Sequence, residues 1–96
     1  MKPPQFEWDI KKAKSNEAKH GVSFGEAITV FADPLARIFD DPEHSEKERR
    51  EIIIGHSAQR RLILVSFTGT DNNIRLFSAR SATRKERKDY EENVES

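Results

Sequence analysis

Cysteine is absent from the 96 residues, which excludes disulfides, thiolate metal sites and a cysteine nucleophile and suits a reducing compartment. No apolar run approaches the ~20 residues of a membrane span, and the stretch from Met1 to Lys12 lacks the apolar centre of a signal peptide. Net charge is also missing: 17 basic and 17 acidic residues cancel, so the total says nothing about a nucleic-acid partner. No glycine-rich phosphate loop and no GxSxG elbow occurs, which argues against nucleoside-triphosphate chemistry and against an esterase. The three histidines, His20, His44 and His56, match no zinc spacing, so no metal or other cofactor is expected. A single soluble cytoplasmic domain with a modest core is the expectation.

What is present is a strong internal division of charge. Asp40, Asp41, Glu43, Glu46 and Glu48 crowd the middle, whereas Arg75, Arg80, Arg84, Lys85, Arg87 and Lys88 concentrate near the end. That basic stretch begins as a strand around Ile74 to Ala79 and becomes a helix at Thr83, where Thr83 and Glu86 have the spacing of a capping box. Earlier, Phe6 and Trp8 alternate as in a short strand, with Trp8 a core or core-edge anchor. Asp9 can cap a helix over Ile10–His20 that Gly21 stops, its thin apolar face being Ile10, Ala13 and Ala18. Ser23 and Glu26 form a second capping box, and Phe24, Ala27, Ile28 and Phe31 make one apolar stripe on a helix that ends near Asp33 before Pro34. Strands are expected at 35–39, 52–54, 62–67 and from Ile74, with a hairpin closed by Gly69 to Asn73. The result is an α+β domain: two N-terminal helices on an antiparallel meander in two layers, with a C-terminal helix. A helix-turn-helix DNA reader fits poorly, because sheet and not a third helix follows.

Arginine is the residue that points to chemistry. Guanidinium groups match phosphate bidentately and keep their charge at neutral pH, so Arg61, Arg75, Arg80 and the helix at Thr83 could hold an RNA backbone and stabilise a pentavalent phosphate. For the helix alone an ordinary solvated charged surface is the better reading; for strand arginines beside apolar residues it is not. His44 lies in the acidic loop and suits proton transfer near neutral pH, whereas His20 suits a helix C-terminus. Arg75 and Arg80 are an odd number apart, so a regular strand would set them on opposite faces unless a bulge intervenes.

The order and spacing of FEWD at Phe6 to Asp9, KHGVSFGEA at Lys19 to Ala27, FADPL at Phe31 to Leu35, DPEHSE followed by Glu48 and Arg49, and LFSARSATRKERKDYE from Leu76 resemble the BrnT family of type II toxins. Ile10 stands where proline often follows the aspartate, and Phe77 where isoleucine is usual. The resemblance spans nearly the whole of residues 1–96, with Met1 to Gln5 as an extra, flexible leader. It implies a RelE-like fold and a metal-independent endoribonuclease that halts translation, with a BrnA-like, DNA-binding antitoxin as direct partner and RNA as substrate. On that basis Arg75 and Arg80 are expected to contact the phosphate and His44 and Glu48 to transfer protons. Lys12, His20, Arg49, Arg61 and Arg84 are expected to bind RNA. The rival expectation is a non-catalytic module that holds protein or nucleic acid on the same sheet and basic helix.

Overall fold

A computed structural model describes residues 4–41, 43, 49–69 and 72–95, the last two by backbone alone. The elements are β1 (Gln5–Glu7), α1 (Ile10–His20), α2 (Phe24–Ala27), β2 (Arg37–Asp40), β3 (Glu51–His56), β4 (Leu62–Gly69), β5 (Asn73–Ser81) and α3 (Arg84–Glu95). His44 and Glu48 of the acidic loop, and Thr70 and Asp71 of the last hairpin, lie outside the described residues.

α1 begins and ends where its caps dictate. The Asp9 carboxylate accepts from the amides of Lys11 and Lys12 at 2.8 and 3.2 Å, and Gly21 takes the left-handed φ of 69° while its N–H returns to the Glu17 carbonyl. The expected apolar stripe does not by itself anchor it: Ala13 packs against the core, but Ile10 is 69% exposed and Ala18 is exposed as well. Asn16 supplies the anchor. Its amide Nδ2 donates to the carbonyls of Val22 at 3.0 Å and Ala79 at 2.8 Å, and its Oδ1 accepts from the Ala79 N–H at 3.0 Å. One side chain thereby pairs with the edge of β5 as a neighbouring strand would.

The second helix is shorter than its sequence pattern suggests. After one turn of α2 the chain tightens into a 3-10 helix over Ile28–Ala32. Phe24, Ala27 and Val30 are the buried apolar residues, and their spacing of three is the period of the tighter helix. Ser23 accepts from the Glu26 amide at 3.0 Å, but the Glu26 carboxylate does not reach back to complete the capping box. It is diverted to Arg61 and Ser57.

Strands β2 to β5 form the expected meander, each antiparallel to the next. The sheet as a whole is nevertheless mixed, in the order β1-β5-β4-β3-β2, because β1 lies parallel to β5. Phe6 of β1 is held there by the Phe31 ring, 5.2 Å away between centroids, and Trp8 packs edge-on to Phe24, a core-edge anchor as its sequence position predicts. Alternate residues of β3 and β4 then face opposite ways. Ile53, Ile63, Val65 and Phe67 join Val22, Phe24, Ala27 and Val30 in the main core under α1 and α2. Ile54, Leu62 and Leu64 join Tyr90 of α3 in a smaller cluster on the other side. α3 therefore adds a partial third layer to what the sequence suggests is a two-layer fold. Among the hydrogen bonds that dock it are those from Tyr90 Oη to the Leu35 carbonyl at 3.2 Å and from Arg37 Nη2 to the Asn93 carbonyl at 3.0 Å.

Between β4 and β5 the pairing slips by one residue. Ser66 faces Ser78 but Phe67 faces Leu76, so Phe77 is the extra residue of a bulge.

Candidate functional site

α3 covers only part of its sheet face. Tyr90 seals the row Ile54–Leu64, and the next row across the strands, Ile52–Ser66–Ser78, is left as the floor of an open cleft. The cleft holds about 280 Å³ and is walled by Arg50, Arg80, Asp41 and Glu43, with Leu64 at its covered end. Two guanidinium groups and two carboxylates therefore converge on a floor carrying two serine hydroxyls. A second cavity, of about 250 Å³, opens beyond α3, but there Glu86 and Asp89 accompany a single arginine, Arg37, and a phosphate would meet repulsion.

Arg80 stands at the junction of cleft and helix. Its Nη1 and Nη2 each donate at 2.8 Å to the two carboxylate oxygens of Glu86, an end-on bidentate pair. Glu86 is itself fixed by the completed capping box: its Oε1 accepts from the Thr83 amide at 2.8 Å, and its own amide donates to Thr83 Oγ1 at 3.1 Å. The Arg80 pairing holds the Glu86 carboxyl at about 2 against an ordinary 4.5, overriding its partial burial. Because Nη1 also donates to the Ser81 carbonyl, the donors of Arg80 without a partner among the described residues are Nε–H and one Nη2 hydrogen, the side-on fork suited to two oxygens of a phosphate.

Arg50 is oriented by the bulge. Its guanidinium carbon lies 3.9 Å from the centroid of Phe77, a stacked cation–π contact. Phe77 and Ser78 also border a shallower groove of about 220 Å³ along α1, formed with Lys12, Ser15, Asn16, Lys19 and His20. Ser78 lines both depressions, so they adjoin at β5. Among the described residues no cluster of three His, Cys, Asp or Glu side chains is placed to hold a metal ion.

Similarity to known proteins agrees with this geometry. The model of the family described as "Ribonuclease toxin, BrnT, of type II toxin-antitoxin system" matches residues 8–86. The chain belongs to the BrnT family. A solved structure of the Brucella abortus ribonuclease toxin BrnT superposes with a TM-score of 0.66 at 25% identity, covering 84% of this chain and 99% of that one. No curated protein sequence matches. The family is thus one of ribonuclease toxins, and type II membership implies an antitoxin partner.

Set against this BrnT fold, the residues singled out in the sequence separate into three groups. Arg80 lines the cleft, and Lys12 and His20 line the groove that adjoins it at Ser78. Arg75 shares the cleft's face but lies toward β1, where it faces Glu7 at 3.9 Å; Arg49 pairs with Asp40 on the exposed surface at 2.9 Å. Arg61 and Arg84 are not brought to the cleft. Arg84 lies on α3 with Arg87, Lys88, Glu91 and Glu92. Arg61 has a structural setting: it pairs with buried Glu26, donates to the Gly21 carbonyl at 3.0 Å and so ties the α1–α2 turn to β4. Hydrogen bonds from Arg61, and secondarily from Ser57, lower the Glu26 carboxyl despite its burial.

Two residues that sequence reasoning passed over, Arg50 and Phe77, are prominent here. Their only signal in the sequence is an arginine entering a strand and an aromatic within one.

Proposed function

We propose that this protein is a metal-independent endoribonuclease toxin that cleaves RNA in the cleft between β3, β5 and the start of α3. What carries the reading is the convergence of Arg50 and Arg80 on one cleft, each oriented by a different partner. Arg80 offers its side-on fork and Arg50 a guanidinium stacked on Phe77, so the pair would take the non-bridging oxygens of the scissile phosphate. They would stabilise the charge that builds as the ribose 2′-hydroxyl attacks in line. Proton transfer falls to His44 and Glu48, which follow in sequence the cleft residues Asp41 and Glu43. Arg75 and Arg49 would guide the approaching strand by charge; Lys12 and His20 are taken up below. Loss of RNA would halt translation, and a BrnA-like antitoxin would neutralise the toxin by direct binding.

The test is incubation of the purified, partner-free chain with bulk RNA in excess EDTA, beside Arg80→Ala. Cleavage that survives the chelator and fails in the variant supports the proposal. Intact RNA from a folded protein, with and without ribosomes, would leave instead a binding module that holds nucleic acid without cutting it.

A further inference from the structure

We propose that the groove along α1 is a separate subsite for the sugar–phosphate backbone of nucleotides flanking the scissile bond, so that the substrate is a single strand longer than the cleft itself. This rests on the ribonuclease reading for its substrate class. The observation behind it is that Lys12, Ser15, Asn16 and Lys19 fall at i, i+3, i+4 and i+7 of α1, the spacing by which a helix usually presents an apolar stripe. Here the stripe is polar, and only Asn16 is consumed by the fold, in pairing with Ala79 and Val22.

The remaining side chains form a basic trough. Lys12, Lys19 and His20 line it with no carboxylate among them, and neither lysine has an ion-pair partner among the described residues. In a chain of zero net charge, such a cluster held against a hydroxyl-bearing floor of Ser15 and Ser78 is a site for anions. The trough and the cleft of Arg50 and Arg80 share Ser78, and Lys12 and Arg50 meet at the same Phe77 ring, so a strand with its phosphate in the cleft would carry flanking phosphates toward the trough.

The aromatic ring at the junction favours backbone over base. Phe77 carries the Arg50 guanidinium at 3.9 Å from its centroid and the Lys12 Nζ at 5.7 Å. A ring already stacked under cations is a poor platform for a nucleobase, whereas its two cations suit phosphate. The subsite therefore adds affinity without sequence preference.

The experiment compares a dinucleotide with an octanucleotide of the same scissile step, using the wild type, Lys12→Ala/Lys19→Ala and the charge-conserving Lys12→Arg/Lys19→Arg. Cleavage is followed by kcat and KM, and binding by titration of a non-cleavable 2′-deoxy octamer across salt concentrations. The alanine pair is expected to raise the octamer KM about tenfold at unchanged kcat. The slope of log affinity on log salt should fall by about 1.4, at ~0.7 per phosphate contact of a single strand. The dinucleotide is too short to feel the change, and the arginine pair should restore the octamer. An equal loss on both lengths, or none on either, overturns the subsite. Salt-sensitive octamer binding that is lost in the alanine pair, from a wild type that cuts nothing, keeps the subsite and overturns the nuclease reading instead.

Discussion

Arg75 and Arg80 lie five positions apart on β5 yet present their side chains to the same face of the sheet. Their partners on β4 are Thr68 and Leu64, an even number apart and so on one side of the pleat, and Phe77 absorbs the odd residue as a bulge. The same inserted residue carries the Arg50 guanidinium on its ring. One slip of register thus aligns one cation of the last strand and orients another on the face that carries the cleft.

Replacing Arg80 tests that arrangement most directly. Arg80→Ala should lower the RNA cleavage rate by about 100- to 1000-fold, as loss of one donor aimed at developing charge does elsewhere. Arg80→Lys should restore little, because a lysine supplies a point charge and not a fork. Rates on a defined RNA, with circular dichroism to confirm folding, decide it.

Glu86 should make the protein acid-sensitive in a definable window. Its folded-state carboxyl is depressed to about 2 from 4.5, so the stability it contributes is complete above pH 4.5 and is lost as pH falls toward 2. Depressed Glu26 adds with the same sign. Thermal melts from pH 6 down to 2 should show this fall, and Glu86→Gln should flatten the part due to Glu86 while lowering the melting temperature near neutrality.

Asn16 is predicted to matter more than any apolar residue of α1. Asn16→Ala would leave the Ala79 N–H and the carbonyls of Ala79 and Val22 without their partner, at a cost of about 2 kcal/mol or more. Asn16→Asp should be worse, since a carboxylate would face two carbonyl oxygens. Urea denaturation gives the magnitude, and faster hydrogen exchange at the Ala79 amide would localise it.

Gly55 is constrained by space. A Cβ there would meet the Ala36 Cβ at 2.8 Å, Asp33 Oδ2 at 3.0 Å and Val30 Cγ1 at 3.1 Å, and Asp33 Oδ2 also accepts from the His56 amide at 2.7 Å. Gly55→Ala should destabilise by about 1 to 3 kcal/mol through overpacking, measured by denaturant titration. An unchanged midpoint would show that the 3-10 turn yields.

How much of this was legible in the sequence depended on how local the cause was. The α1 caps Asp9 and Gly21, the capping box of Thr83 and Glu86 and the meander from β2 to β5 all rest on neighbours in the chain, and they stand as their patterns predict. Arg61 and Arg80 looked alike as strand-associated arginines. What separates them is a partner 35 residues away in one case and six in the other. Asn16 read as one more polar residue on a basic helix, because its three partners belong to β5 and the α1–α2 turn. The Phe77 bulge has no glycine to announce it, and the parallel seat of β1 depends on residues near the other end of the chain.

That last feature has a consequence for synthesis. β1 leaves the ribosome long before the strand it pairs with, Asn73 to Arg75. Asn16 likewise waits for Ala79. Contacts of such long sequence separation delay folding until their distant halves exist. A chain translated only as far as β4 therefore holds neither a finished sheet nor an assembled cleft, because Ser78 and Arg80 of the cleft belong to β5.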